Sequence, residues 1–143
     1  MRGEMRSVAI AGAVGWMGVI FALSSLHGGS VPGRFGSLGH FVVYTVLGAL
    51  YLLALAHPSR GARAVLLAVL LASAYGVTDE FHQSFVPGRM PDPLDWLVDT
   101  AGATVGASAA WWALRRAQGT RTLGSAEDSR TATASEHDGP TGV

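Results

Sequence analysis

The chain contains no cysteine and no lysine, and charged residues make up only 14% of its 143 positions. Lack of cysteine excludes disulfides and thiolate metal sites. The ten basic residues are all Arg and are balanced by ten acids, so no net positive charge or basic face points to nucleic acid. An ordinary soluble domain carries about a quarter charged residues. This chain is instead 49% hydrophobic, with a mean hydropathy of +0.32. That balance predicts an integral membrane protein.

Four apolar runs carry the prediction. Ser7 to Leu26 has no charge across 20 residues, which at about 1.5 Å of helix rise per residue matches a hydrocarbon core of about 30 Å. Leu38 to Ala56 contains only His40 near its start, and Ala64 to Val77 continues through Thr78 into the polar Asp79 to Gln83. The fourth run, Leu94 to Leu114, holds Asp95 and Asp99 in its first two turns and Trp111 and Trp112 near its far end, where Trp suits a membrane interface. The first run also invites a signal-peptide reading, because Arg2 and Arg6 precede it and Ala22 and Ser24 are small. Its apolar stretch exceeds the roughly 7 to 15 residues of a signal core, and the three later spans need an anchor ahead of them. The expected fold is all-α, a bundle of four transmembrane helices with short loops.

Arg placement predicts the orientation. Seven residues (Arg2, Arg6, Arg60, Arg63, Arg115, Arg116 and Arg121) lie before run one, between runs two and three, or after run four, whereas only Arg34 and Arg89 lie in the other two loops. The positive-inside rule then puts both termini in the cytoplasm and loops 27 to 37 and 84 to 93 outside, at the cell membrane. Residues 1 to 118 form the membrane domain. The tail from 119 to 143, Arg130 included, has no Phe, Trp or Tyr and no apolar run. It cannot bury a core and is expected to be a disordered cytoplasmic segment.

Polar residues gather at one place. Five of the ten acids, Asp79, Glu80, Asp92, Asp95 and Asp99, fall between residues 79 and 99 together with His82, Gln83 and Arg89. Charge at a membrane boundary is costly and suggests a use. On run four, Asp95, Asp99, Gly102 and Gly106 share a helical stripe; on run three, Ala72, Gly76, Glu80 and Gln83 do so with Asp79 beside them; on run two, His40, Tyr44, Gly48 and Tyr51 do so. Small residues let helices approach closely, so each stripe should face protein, and all three put their polar ends on the same membrane side. The candidate site is a polar pocket of His40, Tyr44, Asp79, Glu80, His82, Gln83, Arg89, Asp95 and Asp99.

Structural roles compete with a site role at several positions. Asp92 followed by Pro93 reads as a helix N-cap, with Asp95 placed to bond back to it. Asp99 lies a turn deeper, beyond capping, and a charge there costs up to about 2.5 to 3.5 kcal/mol at mid-bilayer, so a site role is favoured. His40 reads equally as an interfacial histidine and Tyr44 as a packing residue. Glu80, His82 and Gln83 fit the wet end of a helix, Asp79 could clamp to Arg89, and Pro87 to Pro93 is turn-forming.

The string Asp79-Glu80-Phe81-His82-Gln83-Ser84-Phe85-Val86-Pro87-Gly88-Arg89, with Asp95 and the Gly102, Gly106 pair after it, resembles the VanZ-like family of small bacterial membrane proteins. Phe21 to Ser25, and His40-Phe41 with Tyr44 and Leu47-Gly48, extend the resemblance over residues 16 to 110. It implies a multi-span protein of the class linked to low-level teicoplanin resistance, with no settled reaction. The chain departs from the family pattern at Gly36-Ser37, where Asp-Lys is common, at Leu26, where Gln often stands, and at Asp99, where Asn is frequent.

Two function classes are open. A binding or envelope-modifying protein would use the pocket for a lipid headgroup, a cell-wall precursor or a glycopeptide, with Arg89 pairing a phosphate or carboxylate. A membrane-embedded hydrolase or transferase on a lipid-linked phosphate or amide would use crowded carboxylates as acid and base, with His40 or His82 carrying the proton. A metal variant would draw on His40, His82, Glu80 and Asp99, but no H-E-x-x-H spacing is present, and neither a metal nor another cofactor is expected. Ion movement is the weakest reading, because the cytoplasmic halves of the runs carry no ionisable group. The Gly-x-x-x-Gly stripe would serve a homodimer as readily as packing within one chain.

Overall fold

The structure, a computed structural model, describes residues 2–26, 33–56 and 61–137, with the side chains at 2, 33–35 and 121–137 left undescribed. Residues 27–32 of the expected 27–37 loop and Arg60 lie outside these residues, as do the side chains of Arg2, Arg34, Arg121 and Arg130, and the rest of that loop, 33–37, is helical. Four helices follow in order: α1, Arg2–Ser24; α2, Gly33–Leu55; α3, Ala62–Gln83; and α4, Pro93–His137. Two compact units divide the chain, Met1–Trp111 and Trp112–Val143. Within the second, the Arg116 guanidinium lies 3.7 Å over the Trp112 ring.

Three of the four expected spans are long and apolar enough to cross a membrane: Gly3–Ser24, Gly36–Leu55 and Ala62–Gln83. The fourth run does not reach that threshold. Asp95, Asp99, Thr100, Gly102, Thr104, Gly106 and Ser108 dilute the Leu and Val of α4, so its hydropathy alone does not mark it as a span. α2 opens at Gly33, ahead of the apolar run, because residues 33–37 lack hydropathy but include no proline to stop a helix. α4 differs more from expectation. Its backbone stays helical to His137 through the segment expected to be disordered. No proline occurs between Leu94 and Gly139 to stop the helix.

In the first unit the interior is small or polar and the exterior apolar. Ala64, Ala68, Ala72, Gly76, Asp79, Glu80 and Gln83 form the buried face of α3, and Asp99, Gly102, Ala103, Gly106 and Ala107 that of α4. Val14, Val42, Leu66, Leu70 and Leu97 are exposed, the distribution a bilayer solvent requires. Ile20, Tyr44, Leu47, Ala72 and Ala103 make the core, with Trp16, Met17 and Tyr75 packed against it. Polar groups pair across helices: Tyr75 Oη donates to the Met17 carbonyl at 2.7 Å and Trp16 Nε1 to the Val43 carbonyl at 2.8 Å.

Close approach between α2 and α4 is set by glycine. A Cβ on Gly102 would overlap the Phe41 carbonyl, one on Gly106 the Thr45 carbonyl, and one on Gly48 the Ala103 backbone. The Gly-x-x-x-Gly pair of α4 therefore packs within the chain. Gly106→Ala should destabilise the fold by about 1–3 kcal/mol, the usual cost of overpacking, while Gly15→Ala should not; a Cβ on Gly15 meets nothing within 4 Å. Thermal unfolding in detergent micelles checks this, and equal midpoints for both variants would refute the packing role.

Candidate functional site

The start of α4 shows how local and long-range demands are divided. Asp92 caps the helix, its Oδ1 accepting the Leu94 amide at 2.9 Å. A capping box would return a bond from Asp95 to the Asp92 amide. Here that amide donates instead to Glu80 Oε2 at 2.7 Å, and Asp95 Oδ1 accepts from Ser37 Oγ at 2.8 Å. Glu80 thus ties the end of α3 to the start of α4, and Asp95 ties α4 to α2.

One turn deeper, His40 and Asp99 pair. His40 Nδ1 lies 3.0 Å from Asp99 Oδ1, with Asp99 0% exposed and His40 9%. A carboxylate acceptor makes Nδ1 the donor, and in the neutral imidazole Nε2 then keeps its lone pair. Asp99 Oδ2 is buried without a partner, facing α3 where a Cβ on Gly76 would come within 3.2 Å of it. The Tyr44 ring lies nearly parallel to the His40 ring, 5° between planes and 6.4 Å between centroids. Its hydroxyl is also buried without a partner, within electrostatic reach of Asp99, Asp79 and Glu80. Glu80 Oε1 and Asp79 Oδ1 complete the set of buried, unpartnered polar atoms among the described residues.

The expected clamp between Asp79 and Arg89 is indirect. Gln83 stands between them, its Nε2 donating to Asp79 Oδ2 at 3.1 Å and its Oε1 accepting from Arg89 Nη1 at 3.3 Å. Gln83 lies one turn after Asp79 and so intercepts the carboxylate before the loop residue reaches it. Arg89 Nε reaches the Leu26 carbonyl at 3.4 Å. Its position follows from the turn before it: the Arg89 amide donates to the Val86 carbonyl, and Gly88 has φ of 77°. Pro87 followed by a positive-φ glycine is the composition of a type II turn.

His82 goes elsewhere. Its Nε2 is 3.0 Å from Ser25 Oγ and its ring 4.3 Å from that of Phe21, so it serves the α1 end. Ser25 Oγ gives its proton to the Phe21 carbonyl at 2.7 Å. Ser25 Oγ is thus shared between a backbone carbonyl and the His82 ring. Tyr51 also leaves the stripe's polar end, its hydroxyl turned to Met17 Sδ at 3.2 Å.

The structure thus gathers His40, Tyr44, Asp79, Glu80, Gln83, Asp95 and Asp99, with Arg89 at the edge and His82 apart. The sequence reading omitted Ser37 from the site, although Ser37, His40 and Tyr44 follow i, i+3, i+7 spacing and share a face. Trp96 was also omitted; its Nε1 donates to the Ser73 carbonyl at 3.2 Å, and its ring edge lies beside Gly76 and Asp99. The metal set considered from sequence is not assembled, because His82 is turned away. Among the described residues one histidine-and-acid group brings its ligand atoms within 4.8 Å of one another: His40, Glu80 and Asp95.

Removing one member of a buried pair strands the other. His40→Ala and Asp99→Ala should therefore each cost about 3–5 kcal/mol, and the double variant clearly less than their sum. Thermal unfolding of the four proteins measures this coupling, and strictly additive losses would mean that the pair does not hold.

Searches of curated proteins and of solved structures return no significant match to the chain. A family model described as VanZ/LLP1 matches residues 6–114, the stretch that carries all of the gathered side chains. Covering well over half of the sequence, that match establishes that this membrane protein belongs to the VanZ/LLP1 family.

Proposed function

We propose that the protein is a multi-pass cell-membrane protein whose polar cluster, on the outer side, recognises an envelope component and so contributes to cell-envelope processes or glycopeptide resistance of the teicoplanin type. The observation that carries this reading is the convergence of four buried, unpartnered polar atoms, Tyr44 Oη, Asp79 Oδ1, Glu80 Oε1 and Asp99 Oδ2, at one end of α2, α3 and α4. Such atoms cost about 1–3 kcal/mol each when left unmade. A ligand that bonds them would recover that cost, which is what makes the cluster a recognition site.

Four crossings with both termini in the cytoplasm complete the proposal. The Arg distribution supports the orientation, seven against two. Support for a fourth crossing comes from register: Ser37 meets Asp95, His40 meets Asp99, Phe41 meets Gly102 and Thr45 meets Gly106. The two helices advance together in the same direction. A helix running parallel to a membrane span over that length crosses with it. Arg89, half-buried at the rim, supplies donors for a phosphate or carboxylate of a lipid headgroup, cell-wall precursor or glycopeptide.

The enzymatic alternative, a hydrolase or transferase of lipid-linked substrates, gains no support from Ser25 and His82, which meet at the α1 end, apart from the gathered carboxylates. A strain lacking the protein, tested against cell-wall antibiotics and complemented with wild type, Glu80→Gln or Arg89→Ala, tests the proposal. Wild type should restore the parental teicoplanin susceptibility, and both variants should leave the deletion phenotype while reaching the membrane in normal amounts. Full rescue by both variants would refute a role for the cluster.

A further inference from the structure

We infer that His40, Glu80 and Asp95 form a binding site for a divalent transition-metal cation, with Zn²⁺ the best fit to the donors, and that Asp99 positions its histidine ligand. This deepens the reading of the same cluster as a recognition site.

Each of the three residues has one atom anchored and one free. His40 Nδ1 is held by Asp99, Glu80 Oε2 by the Asp92 amide, and Asp95 Oδ1 by Ser37 Oγ. That leaves His40 Nε2, Glu80 Oε1 and Asp95 Oδ2. A metal-binding histidine commonly donates its other ring N–H to a carboxylate, which fixes the tautomer and aims the lone pair. One ligand atom from each of the three lies within 4.8 Å of those of the other two. Metal bonds of about 2.0–2.2 Å place tetrahedral donors about 3.4 Å apart, so small side-chain rotations close the site.

Two further observations point to a cation. Glu80 Oε1 is buried and has no partner, and neither does Oδ2 of the fully buried Asp99 behind His40. The cluster is also crowded with carboxylates: Asp79, Glu80, Asp95 and Asp99 lie within electrostatic reach of His40 or of one another, and among the described residues the Arg89 guanidinium bonds Gln83 and the Leu26 carbonyl rather than an acid. Carboxylates out of water need a partner charge, and two of them with one neutral imidazole complement a divalent ion. Mixed imidazole and carboxylate donors suit Zn²⁺ and, less selectively, Mn²⁺. Three protein ligands leave one position open, and an anionic oxygen of an envelope ligand would fit there.

The test uses the full chain without an oligohistidine tag, reconstituted in lipid nanodiscs, equilibrated with Zn²⁺, desalted and analysed for metal. One equivalent per chain is expected, with binding lost in His40→Asn and Asp95→Asn. Asp99→Asn, a positioning change, should weaken binding by about 10–100-fold without abolishing it. Mn²⁺ loaded into the wild-type protein should show nitrogen coupling by electron paramagnetic resonance, absent in His40→Asn. Zn²⁺ should raise the unfolding temperature of wild type and not of Asp95→Asn, which separates metal loss from misfolding. No bound metal in wild type, or binding in His40→Asn and Asp95→Asn equal to that of wild type, overturns the inference. Because metal is read on purified protein and susceptibility in cells, a failure here leaves the envelope role standing, and loss of that role leaves the metal result intact.

Discussion

The contact between the α2 and α4 backbones governs everything polar in this protein. At Gly48, Gly102 and Gly106 no side chain separates the helices, and a bilayer offers little hydrophobic drive to hold two helices together apart from such packing. The same contact sets the spacing at which Ser37 reaches Asp95 and His40 reaches Asp99. A residue of any size at these glycines would push the histidine out of range of its carboxylate. The glycines thus belong to the site as much as the side chains that bear charge.

Helix ends supply the second constraint. An α-helix leaves its first amides without internal partners, and at the start of α4 these are shared between a local acid and a distant one: Asp92 takes the Leu94 amide, while Glu80 takes that of Asp92. The substitution of Glu80 for Asp95 in this role frees Asp95 for α2 and locks the 84–93 connection over the cluster. The Pro87-Gly88 turn then delivers Arg89 to Gln83. Acids that a linear reading assigns to capping or to a loop clamp become, in three dimensions, the links between helices.

Helical periodicity made much of this legible. The stripe of Ala72, Gly76, Glu80 and Gln83 is the buried face of α3, and Asp99, Gly102 and Gly106 lie on that of α4. Period fixes a face, but it does not fix which neighbour the face meets. His82 and Tyr51 shared the polar pattern and nonetheless turned to α1, toward Ser25 and Met17. Asp79 and Arg89 looked complementary by charge, yet Gln83, four residues from Asp79, was better placed. Ser37 was overlooked because a lone serine in a Gly-rich stretch carries no hydropathic signal, even at the right spacing.

α4 joins these strands of reasoning. The residues that hold its hydropathy below that of α1, α2 and α3 are the ones that pack it and charge it: Asp95, Asp99, Thr100, Gly102 and Gly106. A helix of that composition is poorly solvated by lipid by itself, since each carboxylate at depth costs free energy that only a partner can offset. α2 provides His40 and Ser37, and α3 provides the Ser73 hydroxyl for Thr100 at 2.9 Å and the Ser73 carbonyl for Trp96. Assembly would therefore place α1, α2 and α3 first, as independently apolar helices, and add α4 against a groove already lined with its partners.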